Sequence, residues 1–323
     1  MTLPRLLSRR NAAVHGAPHL TAPPAAGASG CPAAFAAARQ EPARQEAVRE
    51  RLIGERLIGD RYRVGQLLGR GSEADVYRAA DVLAGADVAV KIFRTAAEDA
   101  ASPFRREREL HTPVRHENVV QLLGHGRVAA DGGLGSGRNY VVTELVSGPD
   151  LRSVVQDKSP DALQVTAWMS DIAAALAHLH RRGIVHNDVK PANIVLDRSG
   201  GTPSLGLAKL TDFGIATSAR HRPNSATSGT PHYLSPEAVH GTGTSSASDI
   251  YALGLVTFEC LTGIKAFPGP ALESMVARTL RAPRLPDTVG RRWSVLLHAM
   301  TDLDPAKRPT AAGVRRALLR IHR

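Results

Sequence analysis

The chain has 323 residues, and its 41 Lys and Arg against 30 Asp and Glu give a formal charge of +11. A hydrophobic content of 43% and a mean hydropathy of -0.16 exclude a disordered polymer. No run approaches the roughly 18 apolar residues of a membrane span, and two cysteines, Cys31 and Cys260, exclude a disulfide framework or a thiolate zinc site. The 13 His show no H-E-x-x-H spacing. A basic balance raises an anionic partner, nucleic acid included, but aromatic residues at 4% supply no stacking platform, so no specific nucleic acid is expected.

Residues 1–60 are rich in Ala, Pro and Arg and hold no acid before Glu41. Such a stretch buries too little apolar surface to offset its ordering entropy. It reads as a leader, either disordered or the product of an over-extended reading frame; an Arg-rich start also matches a targeting peptide. Val48, Leu52, Ile53 and Leu57 recur at helical spacing and predict a short helix over Gln45–Ile58.

Tyr62–Leu68, Asp75–Ala80 and Asp87–Phe93 are β-rich runs broken by Gly and Ser, the pattern of an antiparallel meander. Phe104–Leu110 predicts a charged helix, and Tyr140–Val146 another buried strand. After Pro160 helices dominate: Val165, Trp168, Met169, Ile172, Leu176 and Leu179 form one apolar stripe, and Ile250–Leu261 is apolar on nearly every face. Thr310–Ile321 predicts the last helix. Strands first and helices afterwards imply an α+β fold in two lobes.

Three motifs carry chemistry. Leu68-Gly69-Arg70-Gly71-Ser72-Glu73-Ala74-Asp75-Val76 lies between two predicted strands, where glycines let backbone N–H groups approach phosphates. A strand follows it, which argues against a dinucleotide-binding turn. In Val88-Ala89-Val90-Lys91, strand alternation sends Ala89 and Lys91 to one face and Val88 and Val90 to the other. A Lys facing inward calls for an anion, either Glu107 or a phosphate. His186-Asn187-Asp188-Val189-Lys190-Pro191-Ala192-Asn193 supplies a carboxylate, a cation and an amide oxygen from one loop, and Asp212-Phe213-Gly214 offers a second carboxylate.

Together with Ser235-Pro-Glu237, Asp249 and Arg308, these motifs resemble the eukaryotic-like protein kinase family. Asp60-Arg61-Tyr62 and Tyr233-Leu-Ser-Pro-Glu237 are similar to its bacterial Ser/Thr branch. The resemblance runs from about Tyr62 to Ile321 and implies a bilobal fold with a small β-rich lobe over 61–146 and a larger helical lobe over 147–322. It implies transfer of the γ-phosphoryl of ATP to protein Ser/Thr hydroxyls with Mg²⁺, and autophosphorylation. A catalytically weak ATP-binding scaffold is the alternative. On the same ground the turn at Leu68, Gly69, Gly71, Ala74 and Val76 covers the phosphates. Ala89 and Val76, with the backbone at Glu144 and Val146, hold adenine, and Thr143 gates the rear pocket. Lys91 grips phosphates, steadied by Glu107, with Glu109 the other candidate. Asp188 orients the substrate hydroxyl, Lys190 steadies the phosphoryl group, and Asn193 and Asp212 ligate Mg²⁺. Glu237 with Arg308 is implied as a buried structural ion pair, and Asp249 as the brace of the catalytic loop. Asn187 stands where many relatives carry Arg, which puts activation through phosphorylation of Ser225, Thr227 or Ser228 in doubt. The absence of a membrane segment points to the cytoplasm, and the sequence assigns no oligomeric state.

Overall fold

The computed structural model describes residues 57–96, 102–130, 134–157, 160–199, 206–213, 217–218 and 231–321. Ser225, Thr227, Ser228, Gly214, Cys31 and most of the expected leader lie outside them. The first half is a six-stranded antiparallel sheet in the order β1-β2-β3-β4-β6-β5. Its strands are β1 (Leu57–Ile58), β2 (Tyr62–Arg70), β3 (Ala74–Asp81), β4 (Ala86–Phe93), β5 (Leu122–Arg127) and β6 (Asn139–Glu144).

β1 corrects the sequence reading. Leu57 and Ile58, expected to end a helix, pair with Arg63 and Tyr62, and Ile58 is buried. Gly59 and Asp60 both take positive φ, 60° and 54°, in the tight reversal joining β1 to β2. A Gly-Asp pair suits this turn, because both positions take a left-handed backbone. The sheet therefore starts ahead of residue 61, and the rest of the expected helix lies outside the described residues. β6 ends at Glu144, so Val146 follows the strand.

Strand parity holds as expected. Val88 and Val90 enter a core with Tyr62, Val64, Tyr77, Ile92, Tyr140 and Val142, while Lys91 and Ala89 face the other way. Across that face α1 (Pro103–His111) is capped by Ser102, whose side chain accepts the Arg105 N–H at 3.1 Å. Most of α1 is polar; only Phe104, Glu107 and His111 are buried, three residues on one face of the helix.

The second half is helical: α2 (Leu151–Asp157), α3 (Ala162–Arg181), α4 (Pro236–Val239), α5 (Ser246–Thr262), α6 (Ala271–Leu280), α7 (Arg291–Met300) and α8 (Ala311–Leu318). A capping box between Asp161 and Gln164 starts α3. Its predicted stripe from Val165 to Leu179 is buried in the main core with Leu253, Val256, Leu297 and Val314. α5 is buried on every side over Ser248–Phe258, with Cys260 in the core, and ends at Gly263 in the left-handed conformation. Two small antiparallel pairs, β7 (Ile184–Val185) with β10 (Thr217–Ser218) and β8 (Ile194–Asp197) with β9 (Leu207–Leu210), sit beside α3. Leu210 also exchanges backbone bonds with Val120 N–H and Asn118 C=O, at 2.9 Å each, which ties β9 to the linker between α1 and β5. Among the described residues, no helix is long and apolar enough to cross a membrane.

Candidate active site

Lys91 is the hub. From the middle of β4 its Nζ reaches Glu107 Oε2 at 2.7 Å and Asp212 Oδ1 at 2.7 Å. Two carboxylates around one buried ammonium hold its pKa above the usual lysine range despite the cost of burial. The choice between two acids on α1 is settled by helix geometry. Glu107 points inward at 2% exposure, while Glu109 is solvent-facing and pairs with Arg105 at 2.7 Å, four residues earlier.

Asp188, Lys190 and Asn193 come together immediately after β7. Lys190 Nζ donates to Asp188 Oδ2 at 2.6 Å, and Asn193 Nδ2 donates to the Asp188 carbonyl and to Oδ2, both at 2.9 Å. The register of β8 and β9, Ile194 opposite Leu210, brings the next segment alongside, where Thr211 N–H donates to Asn193 C=O at 3.0 Å. Asp212 then adopts φ of 69°, an unusual left-handed conformation for a non-glycine residue.

A buried carboxylate braces the loop. Asp249, at 1% exposure, accepts His186 N–H at 2.9 Å and Asn187 N–H at 2.8 Å, and lies 2.8 Å from His180 Nε2. Asn187 has φ of 65°, so the brace sits where the backbone is strained. Glu237 and Arg308 form a bidentate pair at 2.8 and 2.9 Å, with Ser248 donating to Glu237 at 2.7 Å.

The remaining expected residues occupy the sheet side. Val76 lies opposite Lys91 in the β3–β4 register, and Ala89 lies opposite Thr143 in β4–β6, so these share a face. Leu68 and Gly69 are exposed at the end of β2. Gly71 N–H donates to Ala74 C=O at 2.8 Å, and a side chain on Gly71 would crowd that carbonyl. Ala74, opposite Phe93 and so on the same face as Val76 and Lys91, is 4% exposed and packs with Phe93, Phe104, Leu122 and Val141. Glu144 N–H is bonded to Gln121 C=O at 3.0 Å, and Val146 C=O accepts Gly148 N–H at 3.1 Å.

Two features escaped the sequence reading. The first is a stack: Phe213 lies against His111 with centroids 4.2 Å apart at 15°, and edge-on to His186 at 5.2 Å. Its signal was His111 four residues after Glu107, one helical turn along the same face. The second is the Glu144 side chain, which accepts Gln121 N–H at 2.9 Å and meets Lys209 Nζ at 2.8 Å, linking β6 to β9. His180, expected only to favour a helix terminus, instead belongs to the Asp249 brace.

The donor set suits a phosphate-bound hard cation. Because the Asn193 amide nitrogen is committed to Asp188, its amide oxygen is the atom left for a cation. Among the described residues, no three His, Cys, Asp or Glu converge into a metal cage. An ion held by one or two protein oxygens completes its shell from phosphate and water, as magnesium does.

A profile of protein kinase domains matches residues 62–318. The serine/threonine-protein kinase PknB of Mycobacterium tuberculosis is 33% identical over 282 residues, covering 81% of this chain and 43% of the relative. The serine/threonine-protein kinase PrkC of Bacillus subtilis is 36% identical over 244 residues, covering 72% of this chain and 35% of the relative. The chain thus spans less than half the length of these relatives. With that extent of match, the chain belongs to the protein kinase family.

Proposed function

We propose that the chain is a protein-serine/threonine kinase that transfers the γ-phosphoryl group of ATP to Ser and Thr hydroxyls of proteins, itself included. The observation that carries this reading is the Lys91 hub: one ammonium held at 2.7 Å by both Glu107 and Asp212. The relatives' names, which state serine/threonine kinase activity, support it.

In this reading Lys91 binds non-transferring phosphates, and the Glu107 contact fixes its direction. Asp188 accepts and orients the substrate hydroxyl, and Lys190, 2.6 Å from its carboxylate, offsets charge developing on the transferred group. Asp212 and the Asn193 amide oxygen hold Mg²⁺, which when bound neutralises charge on the phosphate oxygens. The turn over Leu68–Val76 covers the phosphates through backbone N–H groups. Ala89 and Val76 pack on adenine beside the backbone of Glu144 and Val146, and Thr143 lines the rear of that pocket. Residues 57–146, with β1 included, and 147–322 are the two lobes, and the cytoplasm is the working compartment.

The test is transfer of labelled phosphoryl from ATP with Mg²⁺ to a generic protein substrate and to the chain itself. Asp188→Asn and Lys91→Met should each lower incorporation at least about a hundredfold. Incorporation equal to the wild type in both variants would refute the assignment. ATP binding without transfer in the wild type would make the chain a scaffold.

A further inference from the structure

On the far side of the sheet from Lys91, a cavity of about 330 Å³ is lined by Arg70, Asp75, Tyr77, Arg94 and Arg138. Four neighbouring strands build it at one end of the sheet. Arg70 ends β2 opposite Asp75 of β3, Arg94 follows β4, and Arg138 precedes β6. The register runs Arg70 to Asp75 to Ile92 to Tyr140. Cross-strand partners share a face, so this is the face of Ile92 and Tyr140 and the opposite one from Lys91. The backbone on either side is fixed. Arg94 N–H donates to Glu73 C=O at 2.8 Å, and Arg138 bonds Val128 and Gly135 through its C=O and N–H, both at 2.8 Å.

The charge in this cavity is not balanced. Asp75 pairs with Arg94 at 2.7 Å. Among the described residues neither Arg70 nor Arg138 has a carboxylate within 4.0 Å. Two guanidiniums, each a planar fork of donors, thus face one cavity without a counter-ion among the described residues. One carboxylate would neutralise only half of that excess. A phosphoryl dianion matches it in charge and accepts paired N–H donors. The cavity is several times the volume of a phosphate ion and opens to solvent, with room for the side chain that carries the group.

We propose that this cavity is a second anion site, distinct from the nucleotide cleft, that recognises a phosphoryl dianion presented on a phosphoserine or phosphothreonine side chain. Arg70 stands between Gly69 and Gly71, and Arg94 is three residues beyond Lys91, just past the end of β4. An anion shared by the two ties the glycine turn to the end of β4. Binding itself is independent of catalysis; only this consequence for the turn rests on the kinase reading.

The test uses the full chain and a fluorescein-labelled Gly-Ala-phosphoserine-Ala-Gly peptide, followed by anisotropy at low salt beside its unphosphorylated twin. The phosphopeptide should bind at least about tenfold tighter than the twin, and Arg138→Glu should remove at least about tenfold of that affinity. Arg138→Gln should fall between; it also serves where circular dichroism shows Arg138→Glu unfolded. Lys91→Met, altered on the other face, should keep binding within about twofold of the wild type. Inorganic phosphate that displaces the peptide at equal concentration assigns the site to the free ion, and a need for about a hundredfold excess assigns it to the peptide-borne group. Equal binding of the twins, undiminished binding in both Arg70→Glu and Arg138→Glu, or loss of binding in Lys91→Met would overturn the proposal.

Discussion

His111 makes stability depend on pH, and replacing it should remove that dependence. Its Nε2 donates to Val120 C=O at 2.6 Å, its ring stacks on Phe213, and the residue is 1% exposed. Nδ1 is buried with no partner among the described residues, so a second proton there would find no acceptor. Burial accordingly lowers the pKa to about 4, with His186, Lys91 and Arg115 adding to the fall and the Val120 carbonyl opposing it.

The sign follows directly. The unfolded chain takes up a proton near pH 6.5 and the folded chain only near 4, so between those values the unfolded state binds more protons. Stability from this site is complete above about 6.5 and is lost as pH falls toward 4. Lowering pH from 8 to 5 should cost about 2 kcal/mol through His111 alone. His111→Leu keeps a similar volume and cannot titrate. Urea unfolding of both proteins at pH 8, 6.5 and 5 gives the difference, in which other groups such as Asp171 cancel. The variant should gain about 2 kcal/mol on the wild type between pH 8 and 5. Parallel pH profiles would refute the reasoning, because they would mean that His111 is protonated in the fold or does not bear on it.

Asp249→Ala leaves two buried N–H groups and His180 without their acceptor; it should cost about 3–5 kcal/mol in urea unfolding and lower kcat at temperatures where the protein stays folded. An unaltered kcat would show that the loop keeps its conformation without the brace. Glu73, at the tip of the glycine turn, has its pKa raised by partial burial, with Lys91 pulling it down and Asp212 and Asp188 pushing it up, so its carboxylate shares the field of the site. Glu73→Gln should therefore lower the KM for ATP about two- to fivefold, and a raised KM would contradict this. Burial pushes the Asp171 carboxyl up to about 6, although it accepts the Ala208 N–H at 3.0 Å. Here the fold binds the proton more tightly, so stability falls as pH rises from about 4 to 6. After discounting for solvent screening, Asp171→Asn should gain about 1 kcal/mol at pH 8 and nothing at pH 4, and equal stability at pH 8 would refute it. Replacing Ser225, Thr227 and Ser228 together by Ala should leave most activity intact, since the neutral side chain of Asn187 cannot pair with a phosphate as Arg would. A large loss of transfer would refute that.

What the sequence made legible was local. Strand parity sorted Lys91 and Ala89 from Val88 and Val90, and the spacing within His186–Asn193 was enough to group a carboxylate, a cation and an amide. β1 was misread because Val48, Leu52, Ile53 and Leu57 carry helical spacing, while the Gly59-Asp60 reversal is a two-residue signal that a longer periodic pattern outweighs. Other features needed distant pairings. The His111–Phe213 stack joins residues about a hundred positions apart, and Glu144 meets Lys209 only once β6 and β9 are in place. Ala74 reads as part of a phosphate turn by its place in the motif, and its packing with Phe104 of α1 needed the fold.

The two partners of Lys91 are not equivalent, and the difference lies in solvent access. The Glu107 side chain is 2% exposed and that of Asp212 is 38% exposed, although both stand 2.7 Å from the same nitrogen. Burial pushes the Glu107 pKa up to about 7 against the pull of Lys91, so Glu107 could leave Lys91 only by taking up a proton or by burying an unpaired charge, which costs several kcal/mol. Asp212 can turn to a hydrated cation with far less penalty, because water already reaches it. The pair with Glu107 is therefore the fixed arm of the hub and the contact with Asp212 the exchangeable one. In the proposed reading a hard cation would be held by Asp212 and the Asn193 amide oxygen, and Lys91, kept neutralised by Glu107, would have two of its three N–H donors for phosphate. The left-handed backbone of Asp212, at φ of 69°, belongs to that arm.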